Sequence, residues 1–415
     1  MDDARHRLLV MHPMDPRGGK LGGIETHVRM ILDRHPQDFS ILFVGVDEFG
    51  DRPLGRVAPL AINGRVIDFL PVARIKGAAI NLPGRSILGS TTFRFACGAL
   101  RHLRSIARAV WGRRASADLQ RFEFALFPRL LGLKHVQMVH GEGSKTDAMD
   151  SLIKAYWAVH RLNETIALTL AARVLCVNGN IIKRLERVLP RAAAKAEVMS
   201  VSVDVARFAP QPFDCADGVF RVVFAGRLDA FKDPPLMFRV LARLRERLGG
   251  ALEFHYAGTT DPHRFAEFAA IEDCTIRHGF LDAAGVARVL ARCHAGVLTS
   301  FFEGMPCFLL EALSVGRPFV AIRLPQYDPL IEAGVSGALV ERGAFCEEAL
   351  VEAFVALWAD VRTGRIDPAR VHARIEPFSI ENQMARLFAH HRALQTGAAV
   401  TPRVNAPLAP VDAPR

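Results

Sequence analysis

The sequence predicts an α/β protein of two Rossmann-like domains, each built on a doubly wound parallel sheet. Three observations carry that expectation. Short apolar runs alternate with helical periodicity in both halves, several of those runs end at glycine, and 415 residues are more than one ordinary core encloses.

The first half opens on the apolar run Leu8–Met11, then His12-Pro13, then the glycine loop Gly18–Gly23. Helical spacing begins directly afterwards at Ile24, Val28, Ile31 and Leu32, which is a strand, loop and helix in succession. Further strands are expected at Ser40–Val46, Gly64–Phe69, His135–Val139 and Val174–Val177, with helices at 96–114 and Asp150–Ala172. In the second half the expected strands are Phe220–Phe224, Leu252–Ala257, Thr275–His278, Ala295–Thr299 and Pro318–Ile322. Its helices are expected at Pro235–Leu248, Ala283–Cys293, Pro306–Val315 and near Leu330, the first stopping at Gly249-Gly250. Pro210 and Pro212 flank an irregular joint. The expected division is residues 1–200, residues 201–378, a terminal helix over 379–397 returning to the first domain, and a disordered Pro/Ala-rich tail over 398–415.

Seven cysteines, odd in number and never spaced C-x-x-C, argue against a disulfide framework or a zinc site and for a reducing cytoplasm. The residues after Met1 lack a leader pattern, and no uncharged apolar run approaches the ~20 residues that span a bilayer. The net charge of +10 admits nucleic acid, an anionic membrane face or a phosphate-bearing substrate. With three Trp and three Tyr there is no evident base-stacking surface, which disfavours nucleic acid.

The richest segment is Thr299–Pro318. A strand ends at Ser300, the chain turns through Glu303-Gly304-Met305, and a helix is expected to start with Pro306 near its first position. The amides of Cys307 and Phe308 then stand at the helix end, where an anion such as a diphosphate is stabilised by unpaired N–H groups and the macrodipole. Glu311 lies ~7–8 Å further along the helix, where a carboxylate can accept from the vicinal hydroxyls of a ribose. A second constellation, Gly226-Arg227-Leu228 with Lys232-Asp233, offers two cations to one diphosphate at a strand end. Residues 96–114 place Leu100, Leu103, Ile106, Val110 and Trp111 on one helical face and arginines on the other. That face suits either a domain core or an anionic membrane surface, and its width favours the core.

Glu303-x7-Glu311 followed by Ala-Leu-Ser-Val-Gly-Arg-Pro resembles the signature of the retaining GT-B glycosyltransferases of family 4. The resemblance runs from Gly22 to about Leu394 and is more specific in the second half. It implies two Rossmann-like domains facing across a cleft, a nucleoside-diphosphate sugar as donor, and retention at the anomeric carbon. It implies Glu311 on the ribose, Glu303 against the transferred sugar, and Arg227 and Lys232 neutralising the leaving nucleotide. Asp233 stands where the family usually carries glycine or a small residue. Gly22-Gly23 resembles the family's amino-terminal glycine loop, and His140, at the end of a strand, matches a histidine near the sugar. Phe280 and Leu281 fall where family backbone groups meet the base. Val203-Asp204 with Phe208 and Pro210 resembles the interdomain motif, with Val201 and Ser202 replacing its Asn-Gly.

The chain contains no Asp-x-Asp triplet, so a metal–diphosphate clamp is not indicated and no cofactor is expected. The expected acceptor is a glycan or lipid-linked glycan for cell-surface polysaccharide, at the inner face of the membrane. An epimerase or phosphorylase of the same fold, and a non-catalytic nucleotide-sugar-binding scaffold, are the alternative readings.

Overall fold

The computed structural model of the protein describes residues 6–20, 22–76, 89–141 and 157–398. It forms two compact units, one reaching Val201 and also holding the chain from Glu381, the other spanning Ser202–Ile380.

In the amino-terminal unit the strands are β1 (His6–Met11), β2 (Phe39–Asp47), β3 (Ala58–Ile62), β4 (Arg65–Arg74), β5 (Ala115–Leu119), β6 (His135–Val139), β7 (Arg173–Cys176) and β8 (Ala196–Val198). Their order is β3-β4-β2-β1-β5-β6-β7-β8. Every pairing is parallel except β3 with β4, an antiparallel hairpin turned by Asn63 (φ 44°) and Gly64 (φ 79°). Two consecutive positive φ values are what a two-residue hairpin turn requires, and Asn-Gly supplies them at little strain. The edge hairpin is thus an addition to the expected parallel sheet.

The helices of this unit are α1 (Gly23–Arg34), α2 (Thr91–Arg101), α3 (Leu103–Val110), α4 (Leu126–Leu130), α5 (Trp157–Leu170), α6 (Gly179–Val188) and α7 (Pro190–Ala193). The single helix expected over 96–114 is corrected here. It is two helices broken at His102, and the chain beyond leads into β5, which the periodicity had concealed. Gly98 explains how α2 lies down on the sheet, because a Cβ there would stand 2.2 Å from the Val72 carbonyl oxygen. Ile106 and Val110 enter the core with Leu9, Val44, Ala117 and Phe124, whereas Leu100 and Trp111 are exposed. The expected continuous apolar face is therefore divided between the core and the surface. The helix expected over Asp150–Ala172 is seen from Trp157, and residues 150–156 lie outside the described residues, as does the tail beyond 398.

In the carboxy-terminal unit β9 (Phe220–Ala225), β10 (Leu252–Ala257), β11 (Thr275–Gly279), β12 (Ala295–Leu298), β13 (Phe319–Ile322) and β14 (Gly337–Val340) pair in parallel, in the order β11-β10-β9-β12-β13-β14. The helices are α8 (Pro234–Arg247), α9 (Ala283–Arg292), α10 (Cys307–Ser314), α11 (Cys346–Arg362) and α12 (Pro368–Ala373). No helix forms near Leu330. That stretch is a series of turns leading into β14. Helix α10 ends at Gly316, whose φ of 84° lets the Arg317 amide reach back to Ala312 O (2.8 Å) and its own amide reach Leu313 O (3.0 Å).

The last helix, α13 (Ile380–Thr396), belongs from Glu381 onward to the amino-terminal unit. Arg392 pairs with Asp38 at 2.7 Å, Phe388 packs against Phe39, and Gln395 donates to the Arg7 carbonyl at 2.9 Å. Among the described residues no helix is long and apolar enough to cross a membrane.

Candidate functional site

Both sheets carry the doubly wound order 3-2-1-4-5-6 at their centres, so each has one point where the winding reverses. In such sheets ligands bind beyond the carboxyl ends of the strands that flank this reversal. In the carboxy-terminal unit those strands are β9 and β12, which pair directly through Ala295 with Val222 and Gly296 with Val223. β9 runs out into Gly226-Arg227 and β12 into Thr299-Ser300, so the two constellations singled out in the sequence leave the sheet side by side.

The loop after β12 is tied to the loop after β9. Lys232 Nζ donates to Glu303 Oε1 at 2.8 Å, and Ser300 Oγ donates to the same oxygen at 2.9 Å. Thr299 Oγ1 donates to the Lys232 carbonyl at 2.8 Å, Phe231 stacks on Phe302 at 5.0 Å, and Lys232 Nζ lies 5.7 Å from the centre of the Phe224 ring. Lys232 and Glu303 are both largely buried.

Pro306 is not the first helical residue. Its ψ of 123° makes it the cap, and Cys307 begins the helix. The amides of Cys307 and Phe308 remain the first two of the helix, with no intrahelical acceptor, while Leu309 N bonds back to Pro306 O at 3.1 Å. Phe308 anchors this helix end, its ring 5.8 Å from Phe224 and 5.3 Å from Phe319. Gly304 and Met305 are half-buried in the loop before the cap. The Cys307 thiol is pushed up to about 12 by burial, with the charges of Glu311 and Glu303 adding to it, so both carboxylates flank one thiol. Burial also lifts the Glu311 carboxyl from 4.5 to about 7, against a weak opposing pull from Arg207.

Arg227 and Lys232 are not brought onto one partner. Arg227 is largely exposed and pairs with Asp229 at 2.9 Å, while Lys232 holds Glu303. A diphosphate taken by both cations has to displace both pairs. Asp233 takes φ 52° and ψ 57°, the left-handed region that glycine enters most easily, and its side chain caps α8 by accepting from Leu236 N at 3.3 Å. Arg342 holds Asp233 at 2.8 Å and lies 4.0 Å over the Phe301 ring. Phe280 is exposed and Leu281 half-buried, just past β11 at the sheet edge, two strands from β9.

Sequence reasoning missed Gln326 and Tyr327. Gln326 Nε2 donates to the Glu303 carbonyl at 2.8 Å. The buried Tyr327 hydroxyl has no hydrogen-bond partner among the described residues, and its pKa is raised by burial and by the charge of Glu303. Neither residue belongs to a recognisable spacing, so only the fold reveals them.

In the amino-terminal unit the reversal lies between β1 and β5. His12 follows β1, Gln120 follows β5 and His140 follows β6, so all three sit at carboxyl strand ends. His12 pairs with the buried Glu25 at 3.0 Å, Lys20 approaches the same carboxylate at 3.4 Å, and the His27 and His140 rings meet edge-on at 6.0 Å. Gly22 caps α1 at φ 153°, where a Cβ would stand 2.3 Å from Glu25 Oε2, and Gly23 is the first helical residue. His140 Nε2 donates to Gln120 Oε1 at 2.7 Å; Gln120 Nε2 donates to Asp118, and Asp118 also faces His391 Nε2 of α13 at 3.3 Å. Burial, with His27 and His12 alongside, takes His140 down to about 3. It is a neutral hydrogen-bonding imidazole at physiological pH rather than a proton donor.

The class defined by this architecture is the GT-B fold, two Rossmann-like units of parallel sheet. Over 95% of its length the chain superposes on all of sucrose-phosphate synthase from Thermosynechococcus elongatus, with a TM-score of 0.74 at 16% identity. Over 93% of its length it superposes on 99% of Anabaena HepE in complex with UDP and glucose, with a TM-score of 0.66 at 15% identity. Residues 219–360, within the carboxy-terminal unit, match the family described as glycosyl transferases group 1. A D-inositol 3-phosphate glycosyltransferase of Pseudarthrobacter chlorophenolicus is 27% identical over 199 residues, which are 43% of this chain and 45% of that protein. The chain thus spans under half the length of the curated relatives it matches.

Proposed function

We propose that the protein transfers a sugar from a nucleoside-diphosphate sugar to a glycan or lipid-linked acceptor, with retention at the anomeric carbon. The observation that carries the reading is the Ser300–Glu311 segment at the β9/β12 reversal, with Lys232 bound to Glu303 and Glu311 one helix turn beyond the free amides. On this reading Lys232 and the Cys307 and Phe308 amides take the diphosphate, Glu311 accepts from the ribose hydroxyls, and Glu303 serves the sugar. Lys232, drawn from Glu303 to phosphate, neutralises the leaving group and frees the carboxylate beside the reacting carbon. Arg227 joins it by exchanging Asp229 for phosphate. The edge residues Phe280 and Leu281 are assigned to the base. These groups supply the positive charge that the leaving diphosphate needs, and no cofactor is assigned. Gly22 and Gly23 keep the start of α1 open to an anionic group, and neutral His140 offers Nδ1 to a sugar hydroxyl.

The relatives guide the first choices of substrate. HepE was crystallised with UDP and glucose, which makes a UDP-sugar the first donor to test. The role assigned is in polysaccharide or other glycan synthesis at the cytoplasmic side, with the positive charge directed to phosphate-bearing substrates rather than to nucleic acid. Calorimetry against UDP-, GDP- and ADP-sugars, followed by donor-hydrolysis and transfer assays, tests the proposal. Tight nucleotide binding with no turnover across acceptors would establish the scaffold reading, and interconversion of the free donor the epimerase reading.

A further inference from the structure

We propose that the amino-terminal unit holds a second anion site, built for a phosphate-bearing ligand, at the amino-terminal edge of its sheet. A cavity of about 400 Å³ there is lined by Arg7, Arg56, Arg108, Arg113 and Ser105, with Asp68 as its single acid. That volume lies within the range of small-ligand pockets. Asp68 is already engaged, pairing with the buried Arg7 at 2.7 Å. The other three guanidiniums are exposed and have no ion-pair partner among the described residues. Three uncompensated positive charges around one hollow repel one another, and a multivalent anion relieves that repulsion. Arginine, with its flat fork of donors, matches phosphate oxygens in particular.

The positions of these arginines are set by the fold. Arg7 is on β1, its amide bonded to Arg114 O at 2.8 Å, and Arg108 is on α3. The loop bearing Arg56 is pinned at Gly55, whose amide donates to Pro71 O at 2.8 Å. Gly55 also lies so close to His102 that a Cβ would stand 2.1 Å from Nδ1. Arg113 follows a turn at Gly112, φ 74°. The site is separate from the cluster around His140. Arg7 stands near the start of β1 and His12 just past its end, ~16 Å apart at ~3.3 Å per strand residue. Val57, which lines the cavity, and Trp111, two residues before Arg113, are 41% and 65% exposed, so an apolar chain attached to the phosphate would also find contact.

The test uses the full chain carrying Lys232→Ala, so that the proposed donor site contributes little to anion binding. Inorganic phosphate is titrated by calorimetry, and vesicles of phosphatidylglycerol are compared with phosphatidylcholine by sedimentation at 150 mM salt. Arg108→Glu with Arg113→Glu should weaken binding at least tenfold. Arg129→Glu with Arg187→Glu, the same change in net charge on exposed residues of the same unit, should not. Loss of both probes assigns the phosphate to a lipid headgroup, and loss of free phosphate with no vesicle binding assigns it to a soluble phosphoester. The proposal is overturned if neither probe binds the parent chain, or if the two double variants weaken binding equally. Melting curves and nucleotide titrations of the same double variants made with Lys232 intact are read separately, so failure here leaves the donor reading intact, and the reverse also holds.

Discussion

Replacing Glu311 by glutamine should stabilise the protein while damaging what it binds. Glu311 lies on α10, and burial raises its carboxyl from 4.5 to about 7, with only the charge of Arg207 opposing. The gap corresponds to a ceiling of about 3 kcal/mol at ~1.4 kcal/mol per pH unit. The side chain keeps part of its surface open to water, and screening there brings the expected figure to about 1–2 kcal/mol. The sign follows from proton binding. Between about pH 4.5 and 7 the folded chain holds a proton that the unfolded chain has released, so wild-type stability falls as pH rises through that window. Glutamine carries no such penalty. Thermal melts of Glu311→Gln and wild type should coincide near pH 4.5 and separate by ~2–6 °C at pH 8.5, the variant melting higher. Nucleotide binding should move the opposite way. Two ribose hydroxyls need an ionised acceptor, so wild-type affinity tightens as pH rises through about 7 and binding releases a proton. The variant should be ~10–100-fold weaker and flat with pH, the loss of a hydrogen bond to a charged group being ~1.5–3 kcal/mol. Calorimetry in two buffers of different ionisation enthalpy reads the proton. An equal melting shift at both pH values, or a wild-type affinity that ignores pH, refutes the reasoning.

Three other substitutions separate roles within the chain. Glu303→Gln should lower transfer by ~10²–10³-fold while nucleotide affinity, measured by calorimetry, changes little, because the carboxylate is assigned to the sugar. Gln120→Leu strips both His140 Nε2 and Asp118 of a buried partner, destabilising by ~1–3 kcal/mol. It should also lower kcat with KM for the donor unchanged, and ¹⁵N shifts of His140 should show loss of the fixed Nε2–H tautomer. Gly316→Ala forces a Cβ at φ 84° to within 2.5 Å of Pro368 Cβ. Urea unfolding should show a loss of ~1–3 kcal/mol, with nucleotide affinity retained by the folded fraction.

The alternation of strands and helices was legible because parallel strands buried on both faces read as plain apolar runs. The run over Leu8–Met11 and the one over Phe319–Ile322 are examples. What hid β5 was its composition: Ala115-Ser-Ala-Asp-Leu119 places two polar side chains inside, because Ser116 faces His391 and Asp118 faces Gln120. A strand whose buried polar groups are satisfied from a helix 275 residues away has no local signature. The break at His102 was equally silent. Arginines on the solvent side of α2 and α3 keep helical spacing across it, and only the packing of Gly98 and Ile106 shows that the helices lie differently. The helix expected near Leu330 failed for the converse reason. Its apolar residues Tyr327, Leu330 and Ile331 are all buried, but they are carried in by turns.

The candidate site was legible as residue types and illegible as contacts, and Lys232 with Glu303 shows why. Seventy-one positions separate the two, and each alone reads as an ordinary surface charge. What joins them is the placing of β12 next to β9, a consequence of sheet winding rather than of either motif. The same topology explains Asp233. By sequence it departs from the glycine of the resembled motif, yet its left-handed φ of 52° shows that the backbone still demands what glycine permits. Aspartate meets that demand and then uses its side chain, capping α8 and holding Arg342. Arg342 in turn donates to the Thr299 carbonyl, at the root of the loop that carries Glu303. The substitution thus converts a passive turn into a brace between the β9 and β12 loops. On the proposed reading, Lys232 can leave Glu303 for an incoming phosphate without the two loops parting, since Asp233 and Arg342 hold them independently of that pair.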